Sequence, residues 1–331
     1  MPERPNQSTE PAEASLRRLQ QSATTAEFIA ACSSLISSSP HVSVNLNALS
    51  ELKAVVSGAK PVRWDWFLRN PEGSVVDAGW DFLVTSALNG GYFQVDQTGA
   101  VSQWEVGGSG SAALVDWYRG LREAKLVPGV EYTGSKAEAA SLYAPWVEGQ
   151  PHAPERLAIL CDFASRSAFA EFQSMMMSTG NDDGTYHFTL HHADWLASVF
   201  PRAFGQDPFR KKACLAFLLL SGHIASRGGA VIYDLPIPSD YQIPRILAWK
   251  GVILVSNLFE ARLRDRSSLI SVFSEEVMHY RAAAVVAAHR LGLMASVSDY
   301  LVDGALFGGF RKDPDLIANG LPPMKCDSLW F

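Results

Sequence analysis

The sequence predicts a mainly α protein, a compact helical domain with one small β-hairpin element. Its second half divides almost entirely into helical segments, DPFRKKACLAFLLLSGHIAS (207–226) and SEEVMHYRAAAVVAAHRLG (274–292) among them. Apolar alternation around a turn stands out in one place, GYFQVDQTGAVSQWEV (91–106), where Gly99 in QTGA is free to take positive φ. No repeat of fixed period interrupts this pattern.

The elements follow in order. Residues 1–14 read as a disordered tail, and residues 15–331 as a single helical domain. SLRRLQQSATTAEFIAACSSLI and NLNALSELKAVVSG are helical, and the hairpin comes next. GGSGSAALVDWYRGLREA is a glycine-rich loop feeding a helix, KAEAASLYAPW is helical up to Pro145, and VEGQPHAPER is a linker. ERLAILCDFASRSAFAEFQSMMM (155–177) reads as one long helix and ADWLASVFPRAF as a short one. For the helix after it, Asp207 is the expected N-cap and Pro208 the first residue. RILAWKG, NLFEARLRD, the 274–292 segment and SVSDYLVDGALF complete the set.

Composition excludes several functional classes. The net charge of −6 argues against a general nucleic-acid binder, which needs a basic face. Charged residues make up 19% of the chain, too few for a disordered protein. The four cysteines, Cys32, Cys161, Cys214 and Cys326, lie far apart without a CxxC pair, as expected of a reduced, intracellular protein. The polar N-terminus has no signal-peptide core, and the most apolar run, ACLAFLLLSGHIA, is too short to span a bilayer. A cytoplasmic protein without membrane partners is expected.

The chemistry-bearing candidates begin with Asp240. In PIPSDYQIPRIL (236–247), Pro236 and Pro238 forbid a helix and Pro244 suits the first turn of the next one. Asp240 is thus held in a stiff turn, either as a turn carboxylate capping the following helix or as a fixed anion beside apolar walls. Asp299 and Asp303 stand one helical turn apart on one face. Asp299 suits the acidic position of a capping box with Ser296, and the pair suits equally a solvated face or a pocket accepting hydrogen bonds from an NH-rich ligand. Arg210, Lys211 and Lys212 crowd the first turns of their helix, as a solvated charged face or an anion site. GGSGS lacks the Lys-Ser/Thr ending of a P-loop. His187, His191, His192 and Asp194 are the best metal candidates, but there is no HExxH, and the β-branched and aromatic residues before His191 oppose a single helix. No Ser/His/Asp or Cys/His nucleophile motif is present.

Taken in order, several segments resemble the queuosine salvage family, the queuosine-5′-phosphate N-glycosidases. SDYQIPRILAWKGVILVS is similar to the family's Asp-Tyr-Arg-Val-Pro-Gln stretch and the apolar segment after it, and DPFRKKACL to its Phe-Tyr-Lys-Arg-Ala-Gln helix start. RAAAVVAAHRL resembles the helix headed by a single arginine, and SDYLVDGALF the Asp-Tyr-Tyr-Leu-Trp-Asp region. Earlier, RNP (Arg69–Pro71), TSALNGGYF and GSAALVDWYRGL are similar to further family segments, so the likeness runs from about residue 62 to 310. The resemblance implies a helical fold like that of helix-hairpin-helix DNA glycosylases. It also implies hydrolysis of the N-glycosidic bond of a 7-deazaguanine nucleotide, without a cofactor or metal, releasing queuine for tRNA modification. It places the catalytic carboxylate on Asp240 and a base-contacting aspartate on Asp299. Lys211 and Lys212 are the candidates for the 5′-phosphate, from their charge and helix position. The expected partner is a small nucleotide, with no direct nucleic-acid binding. A non-catalytic deazapurine-binding protein on the same scaffold is the alternative.

The chain departs from the family at specific places. Phe67 or Trp66 stands where the family has a base-contacting histidine, and Pro238 replaces an aromatic residue two before the aspartate. Val302 or Asp303 takes a tryptophan's place, and Leu219 an aspartate's.

Overall fold

The structure, a computed structural model, describes residues 10–95, 101–105, 109–181, 183–265, 267–326 and 328–329. The chain opens with α1 (Glu10–Gln21), α2 (Thr25–Ser37), β1 (Val42–Val44) and α3 (Leu46–Ser57). A single 3₁₀ turn (Asp65–Phe67) leads into α4 (Val75–Leu88), the strands β2 (Phe93–Val95) and β3 (Val101–Gln103), and α5 (Gly110–Glu123). Then follow α6 (Lys136–Val147), α7 (Ala153–Phe163), α8 (Arg166–Thr179), β4 (Tyr186–Thr189), α9 (Leu190–Val199), α10 (Pro201–Phe204) and α11 (Lys211–Ser226). The last part comprises β5 (Val231–Asp234), α12 (Gln242–Trp249), β6 (Ile253–Val255), α13 (Asn257–Arg264), α14 (Glu275–Ala295), α15 (Asp299–Phe310) and α16 (Pro314–Asn319).

The protein is mainly helical, and its strands form three two-stranded ladders. β2 and β3 pair antiparallel with Phe93 opposite Gln103 and Val95 opposite Val101, the expected hairpin. Its turn, with Gly99, lies outside the described residues. The other two ladders join distant segments: β1 with β6, antiparallel, and β4 with β5, parallel.

Two helices form the centre. α14 buries every residue from Val277 to Ala288, as a helix surrounded by others must. Its alanines let α2, α3 and α15 approach closely. α11 packs along α4, whose residues Ala78–Leu88 are all buried. Trp80 anchors that second centre: its Nε1 donates to the Pro128 carbonyl at 2.8 Å, and Phe163, Phe169, Phe172 and Phe200 surround its ring. Burying each such side chain contributes roughly 1.5–3 kcal/mol.

Several boundaries differ from the sequence reading. The long helix expected over 155–177 is broken at Ala164 and Ser165 into α7 and α8, which lets Phe163 and Phe172 reach Trp80 from different sides. α6 continues through Pro145 to Val147. Residues 1–9 of the expected tail lie outside the described residues, and α1 starts at Glu10.

Helix α11 begins at Lys211 rather than after Asp207, because Arg210 takes a left-handed backbone (φ 51). That conformation sends its guanidinium to Asp194 (2.6 Å) and to the carbonyls of Leu19, Gln20 and Ser22. Asp207 still caps the helix from a distance, accepting the Lys211 N–H at 2.9 Å. The capping box expected between Ser296 and Asp299 does not form. Ser296 (φ 56) ends α14, and α15 starts after Ser298, so Asp299 is its first residue.

Candidate active site

The segment between β5 and α12 is extended, as its prolines require, and Leu235–Ser239 is buried. Two anchors hold it. The Tyr233 hydroxyl donates to the Pro236 carbonyl (2.9 Å), and Ser239 is clasped by Arg281 on α14. The Ser239 hydroxyl donates to the Arg281 carbonyl (3.0 Å), while Arg281 Nε donates to the Ser239 carbonyl (2.9 Å). Both Nη atoms of Arg281 donate to Asp207, the residue that caps α11.

Asp240 follows directly. Its Oδ1 accepts the Gln242 N–H at 2.7 Å, so it does cap the start of α12, with Pro244 in that helix's first turn. The carboxylate also opens onto a cavity of about 1220 Å³. Burial pushes its pKa above the ordinary aspartate range, and Lys211 is the strongest opposing influence, ahead of the Gln242 N–H and Arg281. Lys211 lies in the same cavity wall, and its Nζ donates to the Asn89 carbonyl at 3.1 Å. Burial lowers the Lys211 ammonium, and Asp240 is the main influence supporting its charge.

The third ionisable group is Asp303. It projects from α15 into the cavity, and burial holds its carboxyl well above the usual range, with the like charge of Asp240 adding to the shift. Two carboxyls in this relation do not both ionise readily. Lys211 and the Gln242 N–H favour the charge on Asp240, and a charged Asp240 in turn favours the proton on Asp303. A fixed anion and a fixed proton donor in one cavity can stabilise a positive centre and hydrogen-bond an acceptor next to it.

An aromatic wall completes the cavity: Trp64, Trp66 and Phe67 from the first half, and Phe307 one turn beyond Asp303. The Trp64 ring lies 5.2 Å from Trp66 and 6.0 Å from Phe307. Gly222 on α11 lets the chain reach this place, since a Cβ there would meet the Val62 carbonyl at 2.7 Å. Beyond the wall, buried Asp81 accepts from the Arg69 backbone N–H and Nε, both at 2.6 Å, and from the Tyr118 hydroxyl at 2.8 Å. The Arg-Asn-Pro segment is therefore a structural anchor for the wall.

Of the residues singled out from sequence, Asp240 and Lys211 line the cavity together. Lys212 does not: its side chain is buried, and its Nζ donates to the Ala87 carbonyl. Asp299 does not line it either. Its Oδ2 lies 3.1 Å from His289 Nδ1, an interaction that raises the histidine's basicity. The neighbour on its helix face, Asp303, takes the cavity position. The i, i+4 spacing contained that alternative, but helix phase alone does not say which carboxylate points inward.

The positions where the chain departs from the queuosine salvage pattern gather here as well: Phe67, Leu219, Pro238 and Asp303 all line the cavity, whereas Val302 is buried behind it. The glycine-rich stretch reaches the cavity through Ser109 and Ser111 at the start of α5. Gly110 serves packing, since a Cβ there would lie 2.2 Å from the Tyr92 ring. His187 sits on β4 and His192 on α9, where His192 contacts the hydroxyls of Thr189 (3.1 Å) and Thr179 (3.2 Å). Among the described residues, no group of three His, Cys, Asp or Glu is placed to hold a metal ion. No helix of the described residues is long and apolar enough to cross a membrane. No protein-family model matches the chain, and no curated protein matches it.

Proposed function

We propose that the protein is an N-glycosidase that hydrolyses queuosine 5′-phosphate, or a close 7-deazapurine nucleotide, and releases the free base for tRNA modification. The observation that carries this reading is the pairing of a rigidly held Asp240 with Asp303 across one large cavity, in segments that resemble the queuosine salvage enzymes. The finer kinship with helix-hairpin-helix DNA glycosylases belongs to the same proposal.

In this reaction the bond between the anomeric carbon and the base nitrogen breaks with its electron pair going to the base. Positive charge grows on the sugar, and the Asp240 carboxylate stabilises it and orients the attacking water. Water supplies its oxygen to the anomeric carbon, one proton going to the departing base. The protonated Asp303 carboxyl donates a hydrogen bond to the base, dispersing the charge it acquires. Lys211 opposes the burial that would neutralise Asp240.

The test is incubation of the purified protein with queuosine 5′-phosphate, with and without EDTA, following free base by chromatography. Release of queuine that survives EDTA and disappears in Asp240→Asn supports the proposal; absence of release by the wild-type protein overturns it. A second reading, binding without cleavage, is favoured by Phe67, Leu219 and Pro238, which put apolar groups where the resembling enzymes have polar or aromatic ones. It predicts nucleotide or queuine binding without product.

A further inference from the structure

The cavity wall carries six cationic side chains, and four of them are occupied. Lys211 and Arg245 donate to backbone carbonyls, of Asn89 and of Leu316 and Leu321, while Arg119 pairs with Asp116 and Arg264 with Glu260. Arg311 and Lys312 are different. Among the described residues neither side chain makes a hydrogen bond or ion pair, and the guanidinium of Arg311 rests on the Phe307 ring, 4.7 Å from its centre.

Their position on α15 gives this a scale. Asp303, Phe307 and Arg311 are spaced at i, i+4 and i+8, along one face of a helix that Arg311 ends in helical conformation. Eight residues rise about 12 Å, a gap that a nucleoside monophosphate spans together with the side chains reaching towards it from both ends of the row. The inner end of this row carries a carboxyl suited to a base, the middle an aromatic face, and the outer end two unpaired cations.

We propose that Arg311 and Lys312 form the subsite for the 5′-phosphate of the nucleotide, an inference that rests on the glycosidase reading. The lysines expected from sequence to hold the phosphate have other work: Lys212 faces the Ala87 carbonyl outside the cavity, and Lys211 supports Asp240. The start of α5 also faces the cavity, but its Ser109 hydroxyl already accepts the Ala112 N–H at 3.3 Å. Arg311 suits a phosphate because its planar fork donates two parallel hydrogen bonds, and its rest on Phe307 pre-orients it.

The experiment compares queuosine 5′-phosphate with queuosine as substrates for the wild-type protein and for R311Q/K312Q, with R311K/K312R as the conservative control. The wild type should prefer the nucleotide, and the ratio of the two kcat/KM values should fall about 10- to 100-fold in R311Q/K312Q, mainly through KM, with the preference largely kept in the control. Equal use of both substrates by the wild type, or a ratio within about twofold of wild type in R311Q/K312Q, overturns the assignment. Binding of ribose 5-phosphate against ribose, by calorimetry on the same proteins, separates this inference from the reaction. If queuosine 5′-phosphate is not cleaved but ribose 5-phosphate binds and R311Q/K312Q loses it, the subsite stands and the glycosidase reading fails. If ribose 5-phosphate binding is as strong in R311Q/K312Q as in the wild type, the subsite fails whatever the activity.

Discussion

Arg281 and Asp207 form a fully buried bidentate pair, with Nη–Oδ distances of 2.8 and 2.7 Å, and each partner also holds one wall of the cavity. Arg281 clasps Ser239 next to Asp240, while Asp207 receives the N–H of Lys211. The pair thereby locks the carboxylate and its ammonium partner to a common support. Arg281→Met leaves Asp207 buried and unpaired and should cost about 3–5 kcal/mol in denaturant unfolding. Adding Asp207→Leu should recover part of that loss, since the stranded charge is gone. An Arg281→Met variant as stable as wild type would show the pair to be dispensable.

Asp240→Asn keeps the turn, because an amide oxygen can still accept the Gln242 N–H. It removes the charge, and turnover of queuosine 5′-phosphate should fall at least about 10²- to 10³-fold with the melting temperature unchanged or higher. Full turnover by this variant, measured as free base per enzyme, would exclude Asp240 as the reacting carboxylate.

Burial raises the pKa of both carboxyls, and the like charge of Asp240 raises that of Asp303 further. In the proposed reaction the active form has Asp240 ionised and Asp303 protonated, which places its window above the ordinary aspartate range. The pH–rate curve should be bell-shaped, with both limbs belonging to the coupled pair. Asp303→Asn should abolish the alkaline limb. In stability the sign runs the same way: a raised carboxyl stabilises the fold below its unfolded value, and that contribution is lost as pH rises through the folded one. Asp303→Asn should thus flatten the decline of melting temperature toward alkaline pH.

Lys211→Met tests the ammonium from the other side. Without its largest stabilising influence, Asp240 protonates more easily, so the acid limb should move to higher pH and activity near neutrality should fall. An unshifted acid limb, with turnover merely lower, would indicate a packing role only.

Much of this was legible in the sequence, for physical reasons that can be named. The proline spacing around Asp240 predicts a stiff turn because proline acts locally, and the structure has one. The hairpin strands follow from local alternation in the same way. The ladders β1–β6 and β4–β5 are short and join remote segments, so no local pattern announces them. Arg210 shows the same limit at a helix end: local capping rules place the start at Asp207, but three distant carbonyls pull Arg210 into a left-handed backbone. Asp299 and Asp303 look equivalent in sequence and are separated by what lies opposite each, His289 for one and the cavity for the other.

The pairing of β1 with β6 also constrains how the chain is born. Strand β1 leaves the ribosome well before its partner β6, with most of the helices made in between, and Asp303, on α15, emerges later still. Contacts of such long sequence separation form slowly, because the intervening chain must be closed into a loop first. A nascent chain that already carries Asp240 and Lys211 therefore still lacks one wall of its cavity. The cavity should be complete only once α15 has emerged, and C-terminal truncations that remove α15 should leave proteins unable to close the site.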